Sequence, residues 1–431
     1  MKVIKLIEML GALIILSFYF FPFEITFLAG ANTKMILAAI GLPILAIQLS
    51  RKRDSLANKD LIILSGLACL VSLFGLFSVV YNNTSDYTYA SYIVSMWVWM
   101  SGAYTALQCI KSVHGKLSVW IVFNYLIVLC VAQCALALAI DYHPAVKNFA
   151  SQIMVVTGAM KYRLYGIDAS LDIAGSRFSV ILVMIIHCCI FKTEGNKKAY
   201  WLWCTFAFVF IATVGNIISR TTIIGVGLAL LYLILGFVLN QNKASKNFTL
   251  LFLSGSFILI PFIVLLYNRN QQFADNIRFG FEGFFSLVEE GKWQTNSNDI
   301  LLNMYIFPES LKTWIIGDGY FANPIDTDPY YIGEVRGGYY MSTDVGYCRF
   351  LFYFGLLGLI SFSIFLLRAA NMCMSRFPKE KLFFLFALII NFIIWFKVST
   401  DIFLVFALFL GISQEDNDNY EQSLLEKSEI E

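Results

Sequence analysis

Charge is scarce in this 431-residue chain. Asp, Glu, Lys and Arg make up only 14% of it, against about 25% in soluble domains, which excludes an ordinary water-facing surface. A formal net charge of +2 gives no basis for nucleic-acid binding. Only three histidines occur, His114, His143 and His187, far apart and without HExxH or similar spacing, so the sequence offers no metal site and implies no cofactor. Nine cysteines are present but none forms a CxxC pair, which argues against a disulfide frame. After Lys2 and Lys5 no convincing small-residue cleavage site follows, so the first apolar stretch reads as a retained span.

What the chain has is apolar length. It is 58% hydrophobic with a mean hydropathy of +0.71, and uncharged runs recur that are long enough to cross a hydrocarbon core about 30 Å thick. The expected fold class is all-α: a polytopic integral membrane protein with about twelve transmembrane helices and a helical external loop region. The spans are expected near 6–28, 33–50, 61–81, 91–110, 117–140, 177–192, 199–218, 221–240, 248–267, 345–367, 382–398 and 400–413. The chain thus divides into 1–267, nine spans with an external segment at 141–176, then a large external loop at 268–344. Three further spans over 345–413 and an acidic tail at 414–431 complete it.

Orientation follows from the short loops. With the N-terminus inside, 18 of the 31 Lys and Arg fall on the cytoplasmic side, as the bias of basic residues towards cytoplasmic loops requires. Both termini are then cytoplasmic. The two long external segments become the places to seek function. In the second, ADNIRFGFEGFFSLVEEGKW (274–293) puts Ile277, Phe281, Phe284, Phe285 and Val288 on one stripe, which predicts an interfacial helix. PESLKTWIIGDG (308–319) predicts a helix opening at Pro308 and stopping at Gly317.

Arginine is distributed unevenly. Seven of the eleven arginines are external: Arg163, Arg177, Arg220, Arg269, Arg278, Arg336 and Arg349. The inside-positive bias treats Lys and Arg alike and does not produce this skew, whereas forked recognition of phosphate favours arginine. Arg177, Arg220 and Arg349 sit near outer span ends, at headgroup depth, where snorkelling to lipid is the ordinary alternative. Segment 268–344 holds eleven acids against five basic residues, so any anion site there is local. Asp344 and Arg349 are five apart, which is no ideal helical pair. Ser342, Thr343 or Asp344 is a candidate helix cap.

Three stretches, GNIISRTT (215–222), IIGDGYF (315–321) and STDVGYCRFLFYFGLLGLISF (342–362), resemble bacterial O-antigen polymerases of the Wzy type, within the O-antigen ligase and polymerase superfamily. The resemblance covers the topology of most of the chain and motifs mainly in 215–362. Ligases place a histidine at the polar helix opening, where this chain has Thr343 and Asp344, which favours the polymerase. The resemblance implies a metal-independent glycosyltransferase of the GT-C type in the bacterial inner membrane. It would join undecaprenyl-pyrophosphate-linked oligosaccharide repeat units at the periplasmic face, with the lipid bilayer and a chain-length regulator protein as partners. On that footing Asp344 is the expected general base, Arg220, Arg349 and Arg177 the pyrophosphate ligands, and Arg163, Arg278, Arg336, Tyr347 and Asp318 the glycan contacts. The alternatives are an O-antigen ligase, acting on lipid A core, and a lipid-linked oligosaccharide flippase. A flippase fits less well, since the spans carry almost no mid-depth charge and no internal repeat.

Overall fold

The computed structural model describes residues 2–28, 30–51, 56–158, 160, 163–191, 197–239, 252, 255, 261, 263–324 and 337–417. Among these, eight helices are long and apolar enough to cross a membrane. They are α1 (Lys2–Phe20), α2 (Thr33–Arg51), α3 (Leu56–Asn82), α4 (Tyr92–His114), α5 (Val119–Tyr142), α7 (Leu171–Phe191), α8 (Lys197–Ile218) and α14 (Gly346–Arg376). Short helices fill the connections: α6 (Pro144–Ile153), α10 (Gln271–Gly280), α11 (Glu282–Glu290), α12 (Asn296–Asn303) and α13 (Leu311–Ile316). The chain is an all-helical, polytopic membrane protein. Outward-facing aliphatics such as Ile4, Ile7, Ile62, Val80 and Ile234 remain exposed, as the lipid-facing side of such helices should be.

The expected twelve spans are reproduced only in part. The ninth, at 248–267, falls largely outside the described residues. The eighth forms α9 (Thr222–Leu239), whose described apolar stretch is shorter than the others. The last two become α15 (Lys381–Ile394) and α16 (Phe403–Leu410). At 1.5 Å per residue these reach only about 21 Å and about 12 Å. Every residue of α16 is buried, so it works as core. Asn391 Oδ1 accepts from Ile402 N at 3.0 Å, closing the 395–402 hinge between the two.

Helix α7 is the axis of the bundle, with every residue from Ala174 to Ile190 buried. It begins at Leu171, earlier than the expected 177, which places Asp172 in its first turn and Arg177 well inside it. The predicted interfacial helix over 274–293 is also corrected. It breaks at Phe281 into α10 and α11, and Val288 is 84% exposed, so the single apolar stripe is lost. Helix α13 stops at Gly317 as expected, but it starts after Ser310, whose hydroxyl accepts from Thr313 N at 3.0 Å. That hydroxyl supplies a cap, which Pro308 does not.

Helix α14 is interrupted at Gly355, whose φ of 64° and ψ of −166° lie in a region open almost only to glycine. The break frees carbonyls that would otherwise be unsatisfied in an apolar surrounding. Asp318 N donates to Phe352 O at 2.6 Å and Gly319 N to Tyr353 O at 3.0 Å. Ser78 Oγ also donates to Tyr353 O, at 2.7 Å. The Gly317–Gly319 turn therefore splints the broken helix, and the buried piece Gly346–Phe354 is fixed against α3 and α13.

Candidate functional site

The expected tight turn after α8 exists. Ser219, Arg220 and Thr221 are all that separate α8 from α9, and the turn packs on the first turns of α7. Ser219 Oγ donates to Asp172 Oδ1 at 2.8 Å, and the Thr221 hydroxyl donates to the same oxygen. From the opposite side, the α15–α16 hinge delivers Lys397, whose Nζ stands 2.8 Å from Asp172 Oδ1 and 2.9 Å from Thr221 Oγ1. A carboxylate, an ammonium and two hydroxyls thus tie three elements together at one point.

Arg220 points the other way, towards the connection helices. Its Nε donates to Phe279 O at 3.0 Å and its Nη1 to Ser297 Oγ at 2.8 Å. Its Nη2 pairs with Glu282 Oε2 at 2.5 Å, and the guanidinium lies over the Phe279 ring, 4.5 Å from its centroid. These four contacts set the direction of the side chain from α10, α11 and α12 together.

Asp344 arrives from a strained approach. Met341 and Ser342 have φ of 56° and 55°, left-handed values uncommon for such residues. Thr343 is fully buried, and its Oγ1 donates to Met304 O at 2.5 Å. The helix opens on Val345, which has no side-chain cap of its own; of the expected capping residues Thr343 takes up an amide there, its Oγ1 accepting from Val345 N at 3.3 Å, while Asp344 does not cap. The carboxylate instead stands 3.8 Å from Arg349 Nη1. A spacing of five is no ideal pair on a helix, but Asp344 precedes the helix and the loop turns it back. Burial, reinforced by the nearby charge of Asp172, pushes the Asp344 carboxyl up to about 6, against the opposing pull of Arg349 and Lys397.

These groups share one cavity of about 300 Å³, lined by Arg163, Asp172, Arg220, Asp344 and Lys397, with Ser219, Ser297 and Met304 among its other walls. Three cations thus face two carboxylates around a single void. Of the residues expected in a site, the structure brings Arg220, Asp344 and Arg163 onto it. Arg349 lies behind Asp344, 8% exposed, with Nη1 donating to Ser399 Oγ and Nη2 to Phe321 O, both at 2.9 Å. It orients the carboxylate without reaching the void.

The remaining expected residues are elsewhere. Arg177 is buried against Phe20, donating to its carbonyl, with its guanidinium over Phe21. Arg278 is exposed and pairs with Glu289 at 2.5 Å. Tyr347 packs its ring between Trp395 and Phe396 and donates to Phe392 O at 3.0 Å. Asp318 is held by Lys312 and Thr313, each at 2.7 Å, within the splint. Arg336 lies outside the described residues. Sequence reasoning had not singled out Asp172 or Lys397. Asp172 lies within the external segment 141–176 and Lys397 at the external end of the span 382–398, but their pairing spans 225 positions. No protein-family model, no curated protein and no solved structure matches the chain.

Proposed function

We propose that this protein is a membrane-embedded glycosyltransferase that joins polyprenyl-pyrophosphate-linked oligosaccharide units, as a surface-polysaccharide polymerase of the bacterial inner membrane. The observation that carries the reading is the cavity on which Asp344, Arg220, Arg163 and Lys397 converge. The reaction needs a base for an acceptor hydroxyl and fixed cations for a departing pyrophosphate. Both are available within that one void.

In the proposed step the acceptor hydroxyl oxygen attacks the anomeric carbon of the donor sugar. Its proton passes to Asp344, and the bond from that carbon to the pyrophosphate oxygen breaks, the electron pair leaving with the pyrophosphate. A carboxyl near 6 is ionised at neutral pH yet basic enough to take a proton, a contribution typically worth about 10²–10⁴-fold. The growing charge on the leaving group is met by Arg220 and Lys397, already oriented by Glu282, Ser297 and Asp172. Preorganised charge of this kind needs no reorganisation during the reaction.

The test is a deletion strain and two variants read on lipopolysaccharide gels. Loss of a polymerase leaves single-repeat lipopolysaccharide, loss of a ligase leaves bare core with lipid-linked polymer, and loss of a flippase leaves neither outside. Arg220→Ala and Asp344→Ala should each give the single-repeat pattern while the protein stays in the membrane. Normal ladders from both would remove the proposal.

A further inference from the structure

The void around Asp344 has different neighbours on its two sides. Arg163 and Phe279 also form a wall of a second cavity, of about 370 Å³, between the end of α5, residues 163–165 and α10. Arg220 and Lys397 are shared instead with a third, of about 180 Å³, walled by Ile223, Ile224, Phe281, Phe284 and Trp293. The third also carries Asn216, Thr221, Thr295 and Asn298 beside those aromatic and aliphatic walls. The second is lined by Asp141, Lys147, Asp275 and Asn276.

We propose that the second cavity is a saccharide subsite, taking an uncharged or amino-bearing sugar of the substrate glycan. A sugar hydroxyl both donates and accepts, so its site needs acceptors and donors side by side. Asp141 and Asp275 supply the first, Lys147, Arg163 and Asn276 the second. The acceptors are held in place: Asp141 Oδ2 takes Gln272 Nε2 at 2.8 Å and Asn276 Nδ2 at 3.0 Å, and Asp275 Oδ1 takes Gln271 Nε2 at 2.9 Å. Among the described residues, Asp141 Oδ1 and Asp275 Oδ2 accept no hydrogen bond, and neither Lys147 nor Arg163 forms an ion pair. Phe279 is 39% exposed and lines both voids, offering a face for a sugar ring beside the reacting carbon. The two carboxylates are balanced by Lys147 and Arg163, so the cavity carries no net charge and suits a sugar better than a phosphate group. The glycan then extends from the central void towards Asp141.

This subsite rests on reading the central cavity as the place of transfer, and the experiment separates the two. The full chain carrying Asp344→Asn, which cannot turn over, is placed in nanodiscs. It is titrated calorimetrically with the free oligosaccharide released by mild acid from the lipid-linked repeat units of the source bacterium. Binding is expected, and Asp275→Ala and Lys147→Ala should each weaken it about tenfold, the cost of one charged hydrogen bond. Both positions are exposed, and thermal unfolding of each variant confirms that it is folded. No binding, or affinity in both variants unchanged from the Asp344→Asn parent, overturns the subsite even where the deletion strain shows loss of polymer. Weakened binding beside normal glycan ladders in that strain keeps the subsite and removes the polymerase.

Discussion

Lys397 Nζ lies 2.8 Å from Asp172 Oδ1, pinning the hinge between α15 and α16 to the first turn of α7. Both side chains are more than two-thirds buried, so removing one leaves a charge that water compensates poorly. Lys397→Met should lower stability by about 1–3 kcal/mol, and Asp172→Asn by a similar amount. The double variant should recover part of the loss. Thermal unfolding of the four proteins in detergent gives the coupling energy, and strict additivity would show that the pair contributes nothing.

In the proposed reaction Asp344 ties activity to pH. Its carboxyl is raised to about 6, above the ordinary value near 3.9. Folding therefore binds a proton between about pH 4 and pH 6, and this group's contribution to stability is lost as pH rises through that window. Activity runs the opposite way, because only the ionised carboxylate accepts the hydroxyl proton. Transfer to a lipid-linked acceptor in nanodiscs should fall about tenfold per pH unit below 6. Asp344→Asn should abolish transfer and also remove that window from the pH dependence of the thermal midpoint. A wild-type rate unchanged from pH 7 to pH 5 would exclude Asp344 as the base.

The long apolar helices were legible because hydropathy is a local property, and so was the Ser219–Thr221 turn, a polar break between two apolar runs. Gly317 was legible as a stop for the same reason. The rest depends on partners distant in sequence. The stretch YFGLLG reads as continuous helix, and only the Ser78 and Gly317–Gly319 groups that take up the freed carbonyls make a break at Gly355 tolerable. Asp344 was read as helical, hence five residues out of register with Arg349. The left-handed turn at Met341 and Ser342 that brings the two together leaves no mark in the sequence. Arg177 looked equivalent to Arg220 by position, but its helix starts six residues before it and carries it into the core.

Gly355 carries a sharp structural prediction. Its φ is 64° with ψ of −166°, and a Cβ there would collide with the backbone of Ile315 and Ile316. Gly355→Ala therefore faces both strain and overlap, each costing on the order of 1–3 kcal/mol. The expected outcome is low yield in the membrane and rapid cleavage within 311–324 under limited proteolysis, since the splint can no longer close. A Gly355→Ala protein as protease-resistant as wild type would mean that the break is not obligatory.

Arg220 allows binding and folding to be separated. Its side chain is 19% exposed and Glu282's is 34%, so the pair between them should stabilise by only about 1 kcal/mol. Its fork, however, holds Phe279 O, Ser297 and Glu282 at once, a geometry that a lysine ammonium cannot reproduce. Arg220→Lys should keep the thermal midpoint within a few degrees and still lose about 10²-fold in transfer rate. Glu282→Gln keeps the position of the guanidinium while removing the competing charge, so it should retain transfer and bind a pyrophosphate-bearing donor more tightly. Inorganic pyrophosphate inhibition of the three proteins gives the ranking, with Glu282→Gln the most sensitive and Arg220→Lys the least. Equal inhibition of all three would place the pyrophosphate away from Arg220.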